Sequence, residues 1–338
     1  MRDPRFKIAS HLAPAIYHCM SRTVNGERLL DDTAKEIFRK QMWQIADYCG
    51  VQILTYAIMA NHFHVLVRVP QKTIPDDREL LRRFQVLYPK PTFYQAVRIE
   101  TITEQLKKGD PASASWRKQQ LALMGDVSQF MKLLKQRFSI WFNRNHNRFG
   151  PLWAERFKSV LVEGRGNVTT TMAAYIDLNP VRAGLVDDPK DYRFCGYSEA
   201  VAGNKTAQAG ITSIIATASG NVTENTRPTW QSASETYRIM LFGAGTAGRA
   251  NKASISPETL AKVIEEGGAL PLATVLRCRI RHFTDGAVLG TKAYVAEQLA
   301  NYRRRTGQHA RTRPRLLPKV TDWGDMTTLR GLRKNPFA

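Results

Sequence analysis

Residues 59–70, MANHFHVLVRVP, have the pattern of a β-strand that begins with two histidines. Its valines and leucine are typical of a strand. Because side chains alternate between the two faces of a strand, His62 and His64 share one face, whereas Phe63 and Val65 point to the other, toward a core. Two imidazoles on one face can bind a metal ion together, or they can be ordinary polar residues on a solvated face. The pair alone leaves both interpretations open.

The segments on either side of this strand predict an α+β fold. The expected order is strand 15–24, helix 33–50, strand 51–59, the histidine strand, a helical region ending with helix 126–146, strand 156–164 and helix 167–186. This order is that of a ferredoxin-like split βαβ, an antiparallel sheet with helices packed on one face. We expect the opposite face of the sheet to be open and to carry the two histidines.

The charge of the chain favours a polyanionic partner. The 338 residues carry a net charge of +21, and 43% of them are hydrophobic, which is enough for a sizeable core. Nucleic acid is the simplest polyanion, and a membrane surface is the competing one. No apolar run approaches the length that spans a bilayer, and the N-terminus lacks the apolar segment of a signal peptide. We therefore expect a cytoplasmic, nucleoid-associated protein without a membrane partner.

The cysteines and glycines exclude two common kinds of site. None of the four cysteines lies in a C-x-x-C pair, which argues against a zinc finger and suits buried or free thiols: Cys19, Cys49, Cys195 and Cys278. The chain also has no G-x-x-x-x-G-K-[ST] loop that would indicate ATP use.

The amino-acid composition of the chain changes near residue 200. Residues 198–229 are small, polar and poor in aromatics, which predicts a linker or surface insertion. We expect a helical C-terminal region at 230–305 and a basic tail at 306–338. From residue 302 onward, the chain contains ten lysines or arginines and only two aspartates. This tail is either a solvated extension or an arm that grips phosphates.

The stretch AAYIDLNPVRAGLV (173–186) contains a second pair of polar residues. Tyr175 and Asn179 are four residues apart, so on one helix they can face the same way. Tyrosine can attack a phosphate, and asparagine offers a carbonyl oxygen to a metal ion. Alternatively, Tyr175 is a half-buried aromatic, and the Asn179–Pro180 pair only ends the helix, since proline disfavours helical geometry in the residue before it.

Four motifs along the chain resemble those of one enzyme family. They are AIYHCMSR (15–22), MANHFHVLV (59–67), GPLWAERFKSVLVE (150–163) and YIDLNPVRAGLV (175–186). In this order they resemble the single-tyrosine (Y1) HUH transposases of the IS200-like superfamily, in particular the REP-associated tyrosine transposases. The resemblance implies a catalytic domain at 10–197. The segment RCRIRHFTDGAVLG (277–290) resembles a recurring part of C-terminal extensions on longer members, and we assign it no role.

The resemblance also implies a mechanism and a partner. His62, His64 and Asn179 would bind Mg²⁺ or Mn²⁺, with positions left open for phosphate oxygens. Tyr175 would attack single-stranded DNA, forming a 5′-phosphotyrosine intermediate whose later reversal joins strands. The implied partners are single-stranded DNA hairpins or palindromic repeats. Relatives act either as monomers or as homodimers, and the sequence does not choose between these.

Several basic residues near the implied site are predicted to contact DNA phosphates: Arg148, Arg156, Lys158 and Arg182. We interpret His146 as structural or DNA-contacting rather than catalytic. Two other functions stay open. One is a domesticated, non-catalytic nucleic-acid-binding protein on the same fold, and the other is a different metal-dependent phosphoesterase. The second fits the residues less well, because Leu66 and Val67 break the H-x-H-x-D-H pattern of metallo-hydrolases.

Overall fold

The sheet at the centre of the molecule has seven strands. The computed structural model describes residues 5–218, 228–243, 271–307, 313–317 and 321–329. The strands are β1 (Ala15–Arg22), β2 (Gln52–Ile58), β3 (His62–Val69), β4 (Lys158–Val162), β5 (Val288–Thr291), β6 (Arg315–Leu316) and β7 (Met326–Thr328). Their order across the sheet is β2-β3-β1-β4-β5-β7-β6.

The first four strands have the predicted ferredoxin-like order. β1 lies between β3 and β4, and β2 pairs with β3, all antiparallel. In the β1–β3 register, Arg22 stands opposite His62 and Met20 opposite His64. The α+β fold class predicted from the sequence is thus confirmed, including the hairpin that joins β2 to the histidine strand.

Helices connect and cover these strands. They are α1 (Asp32–Cys49), α2 (Asp77–Val86), α3 (Phe93–Lys108), α4 (Pro111–Leu121), α5 (Val127–Asn145), α6 (Asn167–Asp177), α7 (Asn179–Arg182), α8 (Gly196–Val201), α9 (Lys205–Ala218), α10 (Trp230–Phe242), α11 (Leu272–Leu276), α12 (His282–Asp285) and α13 (Lys292–Thr306). No helix in these described ranges is long and apolar enough to cross a bilayer. All four cysteines are buried and free, as predicted.

One face of the sheet packs on α1 and α5. The Asp31 carboxylate accepts a hydrogen bond from the Ala34 amide and so begins α1, which ends where Gly50 takes a left-handed conformation. Phe63, on the face opposite the histidines, has its ring centroid 4.5 Å from that of Phe38 and 5.5 Å from that of Trp153. This aromatic cluster holds Phe63 in the core. Because side chains alternate along β3, His62 and His64 therefore point to the opposite face of the sheet.

The other face of the sheet is covered, so the predicted open face is wrong. α6 packs against β2 and β3, α9 against β2, and α12 against β4. Every residue of α6 from Val168 to Asp177 is buried. A helix that is buried on all sides lies between two packed layers. Because one of the layers next to α6 is the histidine face of the sheet, this face is covered. As a result, only 3% of His64 is exposed.

The predicted linker at 198–229 contains a packed helix instead, over the part that the structure describes. Ile211 and Ile214 of α9 are fully buried, and α9 contacts β2, α6 and α10. Gly210 shows why one small residue of this segment is needed. A Cβ there would lie 2.5 Å from the Leu54 carbonyl oxygen, so only glycine lets α9 approach β2 this closely. Residues 219–227 of the predicted linker lie outside the described residues.

The C-terminal region is not only helical, because it also extends the sheet. β5 pairs in parallel with β4, β7 pairs with β5, and β6 pairs with β7. Part of the predicted basic tail therefore lies in the sheet, and Thr327 and Thr328 are buried there. The remainder of the predicted helical region and tail, at 244–270, 308–312, 318–320 and 330–338, lies outside the described residues.

Candidate functional site

The two histidines of β3 lie side by side on the face that α6 covers. The centroids of the His62 and His64 rings are 5.2 Å apart, and the rings are nearly perpendicular. His62 is partly exposed, whereas His64 is buried. The placement on one face follows the alternation predicted from the sequence.

A third histidine, which the sequence did not lead us to predict, completes this cluster. His18 lies on β1, on the same face of the sheet as His64, and its Nε2 is 2.8 Å from Nδ1 of His64. Its Nδ1 is 2.8 Å from the carbonyl oxygen of Phe283. The signal was present in AIYHCMSR (15–22), but recognising it requires the register between β1 and β3.

The tyrosine helix reaches this cluster. α6 ends at Asp177, and Asn179 begins the short helix α7, with Pro180 in its first turn, where its missing N–H costs nothing. The predicted end of the helix near Asn179 is confirmed, although the chain continues as another helical turn. Tyr175 has its ring centroid 6.4 Å from that of His64.

Two further side chains pack on the Tyr175 ring. The guanidinium carbon of Arg182 lies 3.9 Å from the ring centroid, and the Phe283 ring meets the tyrosine edge at 5.0 Å. Arg182 donates to the carbonyl oxygen of Leu276 at 2.9 Å, while its buried Nη2 has no hydrogen-bond partner among the described residues. Tyr175 itself is 2% exposed.

The histidines are held neutral at pH 7. Burial is the largest cause that lowers the pKa of His62 to about 4, followed by the charges of Arg22 and Arg182, and a hydrogen bond between His62 and the Asn179 side chain opposes this shift. Burial and the neighbouring His18 set the pKa of His64 well below its usual range. Burial also lowers the pKa of His18 to about 4. Neutral imidazoles are the form that binds metal ions.

The donor set fits a divalent cation. Nδ1 of His62 lies 2.6 Å from the Asn61 side-chain oxygen, which can only accept, so His62 is protonated at Nδ1 and carries its lone pair on Nε2. Together with His64 and the amide oxygen of Asn179, this makes two imidazole nitrogens and one oxygen. Across the described ranges, no three His, Cys, Asp or Glu side chains are grouped to hold a metal ion. Binding by this set therefore depends on Asn179.

Positive charge surrounds the histidine pair. Arg22, Arg182 and Arg279 each lower the pKa of His62 through their charge. None of the three forms an ion pair with a carboxylate in the described part of the chain. An anion from outside the protein would balance them. Arg22 and Arg279 were not predicted, and Arg279 lies in the segment 277–290 to which we assigned no role.

The other predicted DNA contacts either have ion-pair partners or are exposed at the surface. The nearest nitrogen of Arg148 is 3.7 Å from a Glu27 carboxylate oxygen, and Lys158 pairs with Asp285 at 3.4 Å. Lys158 also pairs with Glu155, and Arg156 is exposed. The ring of His146 stacks on Phe142 with centroids 4.0 Å apart, which fits the structural interpretation. Of the four basic residues, Arg182 alone contacts Tyr175.

Comparison with known proteins supports the resemblance seen in the motifs. Residues 12–77 match the family model described as "Transposase IS200 like". This confirms the IS200-like transposase resemblance for the part of the chain that carries His62 and His64, whereas Tyr175 and Asn179 lie beyond the match. No curated protein matches the chain. A similar solved structure, "Structure of the REP associates tyrosine transposase bound to a REP hairpin", is 14% identical; the alignment covers 60% of this chain and 86% of that chain, with a TM-score of 0.39.

Proposed function

We propose that this chain, whose residues 12–77 are similar to IS200-like transposases, is a DNA transposase that cleaves and rejoins single-stranded DNA through Tyr175. One observation carries the proposal. β3 and α6 are separated by about a hundred residues, yet they bring His62, His64 and Tyr175 together, with Asn179 beside His62. Histidine and asparagine donors beside a tyrosine suit attack on a phosphodiester.

The tyrosine forms the covalent bond. Its phenolic oxygen attacks the phosphorus atom and the bond from phosphorus to the 3′ oxygen breaks. The phenol loses a proton and the departing 3′ oxygen gains one, leaving a free 3′-hydroxyl and a 5′-phosphotyrosine. Attack by a 3′-hydroxyl on this linkage reverses the step and joins strands without ATP. Because a neutral phenol is a weak nucleophile, Tyr175 needs positive charge nearby, and Arg182, which lies over its ring, supplies it.

His62, His64 and Asn179 would hold the divalent cation, Mg²⁺ or Mn²⁺. When bound, such an ion draws electron density from the phosphate and so favours attack on it. The protein contributes the rest. Asn61 orients His62, the buried residues of α6 and α12 enclose the site, and Arg182 lies over the ring of the nucleophile. The open positions of a cation with three protein ligands would receive phosphate oxygens.

The partner we propose is a single-stranded DNA hairpin or palindromic repeat. The net charge of +21 and the three arginines around the histidine pair support a polyanion. Such a substrate places the protein in the cytoplasm, at the nucleoid. It is compatible with a monomer or a homodimer.

The low exposure of Tyr175 favours one alternative, a nucleic-acid-binding protein that no longer cleaves. At 2% exposure, the tyrosine can meet a phosphate only if neighbouring side chains such as Arg182 and Phe283 move aside. A chain that lost this movement would keep its basic surface and bind DNA without reacting.

A covalent-adduct assay separates these functions. Hairpin DNA carrying a 3′ fluorophore is incubated with protein and Mn²⁺ and run on a denaturing gel. We expect a labelled protein band for the native chain and none for Tyr175→Phe, which keeps the ring. Tyr197→Phe is the matched control, since Tyr197 is also buried but lies by Tyr237, away from the histidines. An adduct on Tyr175→Phe would identify a different nucleophile, and DNA binding without any adduct would support the alternative.

A further inference from the structure

We propose that His18 is a positioning residue, which fixes the tautomer of His64 through a hydrogen-bonded chain that starts at the carbonyl oxygen of Phe283. The inference rests on the proposed function of the site. It gives a role to a histidine of β1 and to a backbone group in the C-terminal region.

The chain of contacts is continuous and buried. The Phe283 carbonyl oxygen, the His18 ring and the His64 ring are linked by two contacts of 2.8 Å each. The two ring planes are within 22° of parallel, and their centroids are 5.0 Å apart. His18 is 1% exposed, so water does not compete for these contacts.

The direction of each hydrogen bond follows from the chemistry of its ends. A backbone carbonyl can only accept, so Nδ1 of His18 donates to Phe283. No carboxylate in the described residues contacts the buried His18 ring, so the ring is neutral and its Nε2 carries a lone pair. This lone pair accepts a hydrogen bond from Nδ1 of His64. His64 then has its own lone pair on Nε2, as His62 does through Asn61.

This arrangement makes His18 a support for a ligand rather than a ligand. Both of its ring nitrogens are occupied, one by Phe283 and one by His64. Histidines that bind metal ions commonly donate their second ring N–H to a fixed acceptor, which sets the tautomer and orientation. Here the acceptor is another histidine, and it is aligned by a backbone carbonyl.

Phe283 is well placed to hold the first acceptor of this series of hydrogen bonds. Its side chain is fully buried in α12, between the Tyr175 ring at 5.0 Å and the Trp323 ring at 5.8 Å. One residue of the C-terminal region therefore contacts the tyrosine through its ring and orients the histidines through its carbonyl. The position of α12 against β4 fixes both contacts together.

The tautomers can be measured directly on the full chain without DNA or metal. Long-range ¹H–¹⁵N correlation spectra of protein labelled with ¹⁵N-histidine distinguish a protonated Nδ1 from a protonated Nε2. We expect His64 and His18 to be protonated at Nδ1 only, with the signals assigned by single substitutions. A His64 ring protonated at Nε2 in the native chain would overturn the proposal, whether or not any variant folds.

Mn²⁺ binding without DNA gives a second readout. Loss of such an outer partner typically weakens metal binding by about 10- to 100-fold, so we expect that loss for His18→Ala. His18→Gln keeps an acceptor for His64 Nδ1 and should restore part of the affinity. The matched control is His146→Gln, in a histidine that stacks on Phe142 and should leave Mn²⁺ affinity unchanged.

The outcomes separate this inference from the proposed function. Equal Mn²⁺ affinities for the native chain and a folded His18→Ala variant would refute the positioning role. Loss of Mn²⁺ binding in His18→Gln as complete as in His18→Ala would show that an acceptor for His64 Nδ1 does not support binding, and it would also refute the positioning role. If the tautomers and the Mn²⁺ series behave as expected but no tyrosine adduct forms, the inference stands and the transposase function fails.

Discussion

Removing the arginines around the histidine pair tests whether this site binds a phosphodiester. Arg22, Arg182 and Arg279 all depress the pKa of His62, and within the described residues none has a carboxylate partner. DNA phosphates would neutralise these three cations near His62. Binding would then release counterions, and the affinity would fall as salt rises.

The size of this effect can be worked out from the number of contacts. For single strands, each neutralised phosphate contributes about 0.7 to the slope of log affinity against log salt. If each arginine meets one phosphate, the three contribute about 2.1. Raising salt from 50 to 200 mM, a factor of four, should therefore weaken native binding roughly 18-fold more than binding by the triple alanine variant. A single substitution should account for roughly 2.6-fold.

Fluorescence anisotropy of a labelled single-stranded hairpin, titrated at four or more salt concentrations, measures these slopes. Arg78→Ala is the matched control, because Arg78 is exposed on α2 and does not act on the histidines. Its slope should equal the native one. Parallel slopes for the native and triple variants would contradict the reasoning and leave these arginines without a role in phosphate binding.

Three other predictions follow from the site and its surroundings. First, EDTA should abolish strand cleavage, and cleavage that persists in the chelator would exclude the metal site. The variants His62→Ala and His64→Ala should also lose cleavage, while they keep the native circular dichroism spectrum and most of the hairpin binding. Second, the protein should bind a hairpin more tightly than duplex of the same sequence in gel shifts, and equal affinities would argue against single-strand recognition. Third, burial raises the pKa of Asp177 to about 7. Its contribution to the free energy of unfolding is therefore full below about pH 4 and is lost as pH rises through 7, a decrease of about 4 kcal/mol. In urea unfolding, Asp177→Asn should lack this decline between pH 4 and 8, and parallel pH profiles for the two proteins would show that Asp177 does not titrate in this way.

The ferredoxin-like order was predictable because it depends on local signals. Strand alternation in β3, the tight connection before His62, and the helical stripe after Asp126 each lie within one stretch of chain. Once β2 and β3 form a hairpin and α1 crosses between β1 and β2, few sheet orders remain. The two histidines could be placed on one face for the same local reason.

The extension of the sheet and the covering of the histidine face were not predictable from such signals. β5, β6 and β7 have only four, two and three residues, too few to show a period of two. α9 has the small residues of a linker, and their purpose appears only when Gly210 is seen against the Leu54 carbonyl. Packing between distant segments decided these features, and local propensity gives little information about such packing.

The site extends beyond the catalytic domain predicted at 10–197. β5 continues the sheet from β4, and the Glu163 carboxylate accepts a hydrogen bond from the Thr291 amide at 2.6 Å. Arg182, near the predicted tyrosine, donates to the Leu276 carbonyl. A boundary at 197 would therefore cut through hydrogen bonds on both sides of the site. It would also remove Phe283, which covers Tyr175 and accepts from His18. Because the buried face of a sheet needs a second layer, the C-terminal region both closes the fold and supplies the carbonyl oxygen that contacts His18.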